Sequence, residues 1–247
     1  MEENILERKN KEHKEIKNRE VWELRFPIET LLGELRESIE KGKYKVIIGD
    51  DVSARIPTLI INNIIKKYNE EKKEKAPQLF FIPGSGRIEE HLGGSQEGKQ
   101  EDIENYVLLE YFKPLKTEDR VLICTDWIQS GLSLKPLVRA LREYGIKYDI
   151  ATIGLPNGYI DLEGLKGDDS IIYAGSSDVP KIYHNRELSG VVKDPRSTRS
   201  DTIKYSDENN PKNKIIQEKI NQAREAISIL SEELYDWFKK KKKWGEF

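Results

Sequence analysis

One short segment gathers an acid, two hydroxyls and a glycine: Asp126-Trp127-Ile128-Gln129-Ser130-Gly131-Leu132-Ser133. The apolar run Val121-Leu122-Ile123-Cys124 precedes it, and Leu134 to Tyr144 follow, with Gly145 as a stop. This order predicts a buried strand, a loop and a helix. Backbone N–H groups at the start of that helix, with the Ser130 and Ser133 hydroxyls, would cradle a phosphate. Gly131 would let the backbone approach it closely. Asp126, at the carboxyl end of a central strand, would accept bonds from sugar hydroxyls, because ligands of open α/β sheets sit at those strand ends. The chemistry predicted from these residues is the binding of a sugar phosphate.

Other elements must hold that segment in place. A helix is predicted from about Pro27, with Ile28, Leu31, Leu32, Leu35 and Ile39 on one face and Gly42 as its stop. Lys45-Val46-Ile47-Ile48-Gly49-Asp50 predicts a strand that runs into a loop at Asp51-Val52-Ser53-Ala54, and a helix carrying Leu59, Ile60, Ile61, Ile64, Ile65 and Tyr68 follows. Leu79-Phe80-Phe81-Ile82 predicts a second strand. Residues 84–105 are polar and hold five glycines, and Tyr106–Phe112 reads as a strand or a short helix. Tyr148–Leu155 and Ser170–Ala174 predict two more strands, and Ser176–Ser206 is loop-rich. Strands alternating with helices imply an α/β fold with a doubly wound, mostly parallel central sheet flanked by helices, plus a C-terminal helix.

The C-terminal helix should start at Asn210-Pro211, a cap followed by a first-turn proline. Ile216, Ile220, Ala223, Ile227, Leu230, Leu234 and Trp237 form a heptad seam. Such a seam either packs on its own domain or pairs two copies as a homodimer. Lys239–Lys243 is a run of lysines, read as a solubilising end or as a contact for RNA or an acidic partner, with nucleic acid not favoured. The chain divides into a charged N-terminal arm, 1–20, an α/β body, 21–206, and the C-terminal helix with its tail, 207–247.

Charged residues make up 35% of the 247, yet the net charge is only −2. That balance excludes a histone-like, wholly basic nucleic-acid binder. No apolar run is long enough to span a membrane. The single cysteine, Cys124, falls in a predicted core strand, where it reads as inert, and no Cys/His spacing suggests zinc. A reducing cytoplasm is the expected compartment. His13 and His184 have no serine or cysteine at a nucleophile elbow, so a catalytic triad is not expected. There is no Walker A sequence. Trp127 would either stack on a base or sugar or pack against a neighbouring loop.

The segment Val121–Leu134 resembles the phosphoribosyl-pyrophosphate (PRPP) motif of the type I phosphoribosyltransferases, in which an apolar strand leads into two acids and a Thr/Ser-Gly-x-Thr/Ser loop. Thr125 stands at the first acidic position, Asp126 at the second, and Gln129 where threonine or serine is commoner. Upstream, Ile48-Gly49-Asp50-Asp51-Val52-Ser53-Ala54-Arg55 is similar to the family's first strand and pyrophosphate loop, with Ser53-Ala54 in place of two glycines. The resemblance implies that Asp126, with Thr125, anchors the ribose. Ile128, Gln129, Ser130, Gly131, Leu132 and Ser133 would hold the 5′-phosphate. Asp51, Val52, Ser53, Ala54 and Arg55 would hold the pyrophosphate, with Mg2+ entering as the PRPP complex through water at Asp50 or Asp51. Residues 84–105 match the position of the family's closing loop, where Arg87, His91 and Lys99 are the candidate phosphate contacts. The acceptor site would use residues 176–206 or the arm. The implied activity is transfer of a phosphoribosyl group to a nitrogenous acceptor with release of pyrophosphate. The other reading is a catalytically degenerate member that binds PRPP or a nucleotide in a regulatory or interaction role.

Overall fold

The computed structural model describes residues 18–50, 52–82, 119–156, 162–184, 186–193, 200–202 and 211–241. Most of the predicted arm, Asp51, the stretch 84–105 with Arg87, His91 and Lys99, Tyr106–Phe112 and the last lysines lie outside these residues.

Two helices open the described chain, α1 (Arg19–Trp22) and α2 (Arg25–Glu40). Asn18 caps α1, its Oδ1 accepting from the Val21 N–H at 3.1 Å. Pro27 sits in the first turn of α2, as its missing N–H requires. The strand β1 (Tyr44–Asp50) leads to α3 (Arg55–Glu71) and β2 (Gln78–Ile82). Next come β3 (Arg120–Trp127), α4 (Lys135–Glu143), β4 (Lys147–Gly154) and β5 (Ile172–Ser176). The helix α5 (Pro211–Lys241) ends the described chain.

The main sheet has five strands in the order β2-β1-β3-β4-β5, every described pairing parallel. The chain reverses direction across the sheet between β1 and β3, which makes their carboxyl ends the crevice of a doubly wound fold. Alternation along the strands feeds two cores. Ile47, Leu122, Cys124, Ala151 and Ile153 face α2, α3 and α5. Val46, Ile48, Val121, Ile123 and Ile150 face α4. The sheet is therefore a layer between two helical layers, as the alternation of elements predicted.

Three boundaries differ from the sequence reading. The helix expected from Leu134 begins one residue later, at Lys135, because Gly131 is left-handed (φ +69°) and closes a turn to the Leu134 N–H. The last strand of the sheet starts at Ile172 rather than Ser170, whose hydroxyl and N–H are tied into a turn with Gly167. The loop-rich stretch after Ser176 contains a small antiparallel ribbon, β6 (Val191–Lys193) with β7 (Ser200–Thr202). The heptad seam of α5 packs largely inside the chain: Ala223, Ile227, Leu230 and Leu234 are buried in the core shared with α2 and α3, and Ile220 is buried near Gly190. Among the described residues no helix is long and apolar enough to cross a membrane.

Candidate functional site

Asp50 ends β1, and Asp126 lies one residue before the end of β3. The two strands are neighbours, so both carboxylates stand at the switch point. Both are buried, Asp126 to 3% exposure. The Ser53 hydroxyl, in the loop after β1, donates to Asp126 Oδ1 at 3.0 Å. Asp126 Oδ2 has no hydrogen-bond partner among the described residues. Burial and then the neighbouring Asp50 charge push the Asp126 carboxyl up from an ordinary 3.8 to about 6. A buried acceptor without a donor, beside a second acid, is a poor arrangement for stability and a ready one for a ligand that brings donors or a cation.

The loop that carries Ser53 is itself strained. Val52 has φ 42°, a left-handed conformation that a β-branched side chain rarely adopts. Such strain collects at ligand sites. The following Ala54 carbonyl is claimed by Thr58, whose N–H and hydroxyl donate to it at 2.9 and 2.6 Å. That pair fixes the first turn of α3 and hence the position of Arg55. Arg55 is half-buried, with its guanidinium 4.1 Å from the centre of the Phe81 ring.

Beyond β3, the Ile128 N–H donates to the Gly154 carbonyl at 3.2 Å, and the buried Ile128 side chain anchors the loop. Gln129, Ser130 and Leu132 face outward and Ser133 is half-buried. Gly131 is buried, and a Cβ there would lie 2.7 Å from the Leu165 side chain, so this position needs glycine for both conformation and space. No side chain caps α4, whose N-cap residue is Leu134, so neither serine is spent on capping. Among the described residues the buried Thr125 hydroxyl has no hydrogen-bond partner, at the position facing Thr152 of β4.

Asp50, Ser53 and Asp126 are thus brought together, with Arg55 at the start of α3 and the Gly131 loop at the start of α4. Trp127 packs: a Cβ on its β4 partner Gly154 would lie 2.5 Å from the indole. Cys124 is buried and its thiol is pushed up to about 12 by burial, which keeps it unreactive. Two residues went unread in the sequence, Phe81 beneath Arg55 and Leu165 beneath Gly131. Phe81 had a signal, since a glycine inside a strand often marks a close approach, and Gly49 is its register partner. Leu165 had none, lying in a lone 3-10 turn, Glu163–Leu165.

No group of three or more metal-ligating side chains occurs among the described residues. Two carboxylates do suit Mg2+, which keeps several waters and takes one or two carboxylates plus substrate phosphates. Neither protein-family models, nor curated proteins, nor solved structures give a match to this chain.

Proposed function

We propose that this chain is a phosphoribosyltransferase-like protein that binds PRPP and transfers its phosphoribosyl group to a nitrogenous acceptor, releasing pyrophosphate. The observation that carries the reading is Asp126 at the β1/β3 switch point, buried, with one oxygen bonded to Ser53 and the other without a donor among the described residues. Ribose hydroxyls would supply that donor. The Gly131 loop and the first turn of α4 would take the 5′-phosphate, and Arg55 with the Val52–Ala54 backbone the pyrophosphate. Asp50 and Asp126 would hold Mg2+ through water, and the ion would neutralise the leaving pyrophosphate.

The chain's own contribution is positioning and electrostatics. The Asp126 carboxylate holds the ribose and faces positive charge as it develops on the sugar. The rigid Gly131 turn fixes the phosphate end, so the reacting carbon is presented in one orientation. Donors from a bound ribose would return the Asp126 carboxyl toward its ordinary range, so binding near pH 6 should release a proton.

Calorimetry with PRPP and Mg2+, on the native chain and on Asp126→Asn, tests this. Binding that Asp126→Asn abolishes is expected. No binding at about 1 mM, the weak end of ordinary substrate affinities, sinks the reading. Binding that Asp126→Asn leaves untouched puts the ribose elsewhere.

One observation favours a second reading, binding without transfer: Thr125 offers a buried hydroxyl where the resembled motif has an acid. PRPP binding with no pyrophosphate release, across a panel of bases, would decide for it.

A further inference from the structure

We infer that Phe81 is a positioning residue that holds Arg55 in place to receive pyrophosphate; the inference rests on the proposed pyrophosphate role of Arg55. Gly49 of β1 and Phe81 of β2 are register partners. A Cβ on Gly49 would lie 2.7 Å from two carbons of the Phe81 ring and 2.8 Å from Thr58 Oγ1. The ring therefore occupies the space that the missing side chain leaves above β1. The Arg55 guanidinium lies on that ring, 4.1 Å from its centre. Three elements converge here: the end of β1, the end of β2 and the first residue of α3.

A ring beneath the guanidinium engages its face, whereas an oxyanion is bound along its N–H edge. The two contacts are compatible, so the stack orients Arg55 without competing with a diphosphate. Glycine at position 49 is then part of the site, although it touches no ligand.

The test is calorimetry on the full chain with two probes, inorganic pyrophosphate with Mg2+ and ribose 5-phosphate. The native chain should bind both. Phe81→Leu should weaken pyrophosphate about fivefold, the scale of one partly desolvated cation–π contact, and leave ribose 5-phosphate unchanged. Phe81→Tyr, which restores a ring, should recover pyrophosphate binding. Arg55→Gln should show the same selective loss, and the double variant no more than Arg55→Gln alone. Gly49→Ala, which drives the ring off β1, gives a second route to the same loss. Unchanged pyrophosphate affinity in Phe81→Leu overturns the inference and leaves the site reading standing. Equal weakening of both probes, or no recovery in Phe81→Tyr, also overturns it, because the ring would then be mere packing. If the native chain binds ribose 5-phosphate and not pyrophosphate, Arg55 has no such role and the inference fails alone. If it binds neither, the site reading falls with it.

Discussion

The two ends of the sheet each bury an aspartate, and the two are held in opposite ways. At the amino end, Asp149 accepts from the Tyr44 hydroxyl at 3.0 Å, from Arg120 at 2.8 Å and from the Ile171 N–H at 2.9 Å. Arg120 also donates to the Tyr148 and Asp169 carbonyls, so one guanidinium ties β3, β4 and the approach to β5. Burial and the Asp149 charge push the Tyr44 phenol up, which keeps it a neutral donor. At the carboxyl end, among the described residues, the Ser53 hydroxyl is the side-chain donor to Asp126, its Oδ2 has no partner, and a like charge stands nearby. Similar burial with opposite satisfaction separates a residue that builds the sheet from one that the proposed site would use to hold a ligand.

That contrast can be broken by substitution. Asp149→Ala should have the largest effect, a loss of about 3–5 kcal/mol in urea unfolding, since it leaves Arg120 and Tyr44 without their buried partner. A loss under about 1 kcal/mol would erase the distinction between the two ends. Asp126→Asn should act in the opposite direction. Folding pushes the Asp126 carboxyl from an ordinary 3.8 up to about 6, so its contribution to stability is full below pH 3.8 and is lost as pH rises through about 6. Above pH 7 the native chain should therefore be less stable than Asp126→Asn by about 2–3 kcal/mol, and the gap should close near pH 4. A gap that does not change with pH would show that Asp126 is satisfied after all. Gly131→Ala should cost about 1–2 kcal/mol from its left-handed backbone, plus whatever Leu165 must yield, and should abolish binding of ribose 5-phosphate. Retained binding would move the phosphate away from this loop. Ser53→Ala should be the mildest at about 1 kcal/mol, and should raise the Asp126 carboxyl further because the Ser53 bond holds it down. NMR titration of the Asp126 carboxyl reads that direction, and a fall would contradict it.

Legibility in the sequence followed locality. The strands Tyr44–Asp50 and Arg120–Trp127 and the helix Arg55–Glu71 were readable because their apolar periodicity is intense and bounded by turn residues. Asp126 and the Gly131 turn were readable because a strand, loop and helix follow one another without a gap. The Ser53–Asp126 bond joins residues 73 apart, and the Asp149 cluster draws on positions 44, 120, 149 and 171, so no local pattern announces either. The ribbon at Val191–Lys193 and Ser200–Thr202 escaped because three-residue strands carry no periodicity. The seam of α5 was visible, but not which surface would cover it, since a heptad pattern describes one face and not its partner.

The placement of α5 also bears on how the molecule comes to fold. Asn63 of α3 donates to Ser231 of α5 across 168 residues of chain, and Arg36 of α2 donates to the Phe238 carbonyl across 202. Among the described residues α5 closes over α2 and α3 through such distant pairings, and they carry a high entropic cost before they return any burial. Refolding should therefore be limited by the arrival of residues 211–241, with α3 unsettled until they dock. The loop bearing Ser53 and Arg55 hangs from the start of α3, so binding competence should appear late, in step with that closure rather than with formation of the strands.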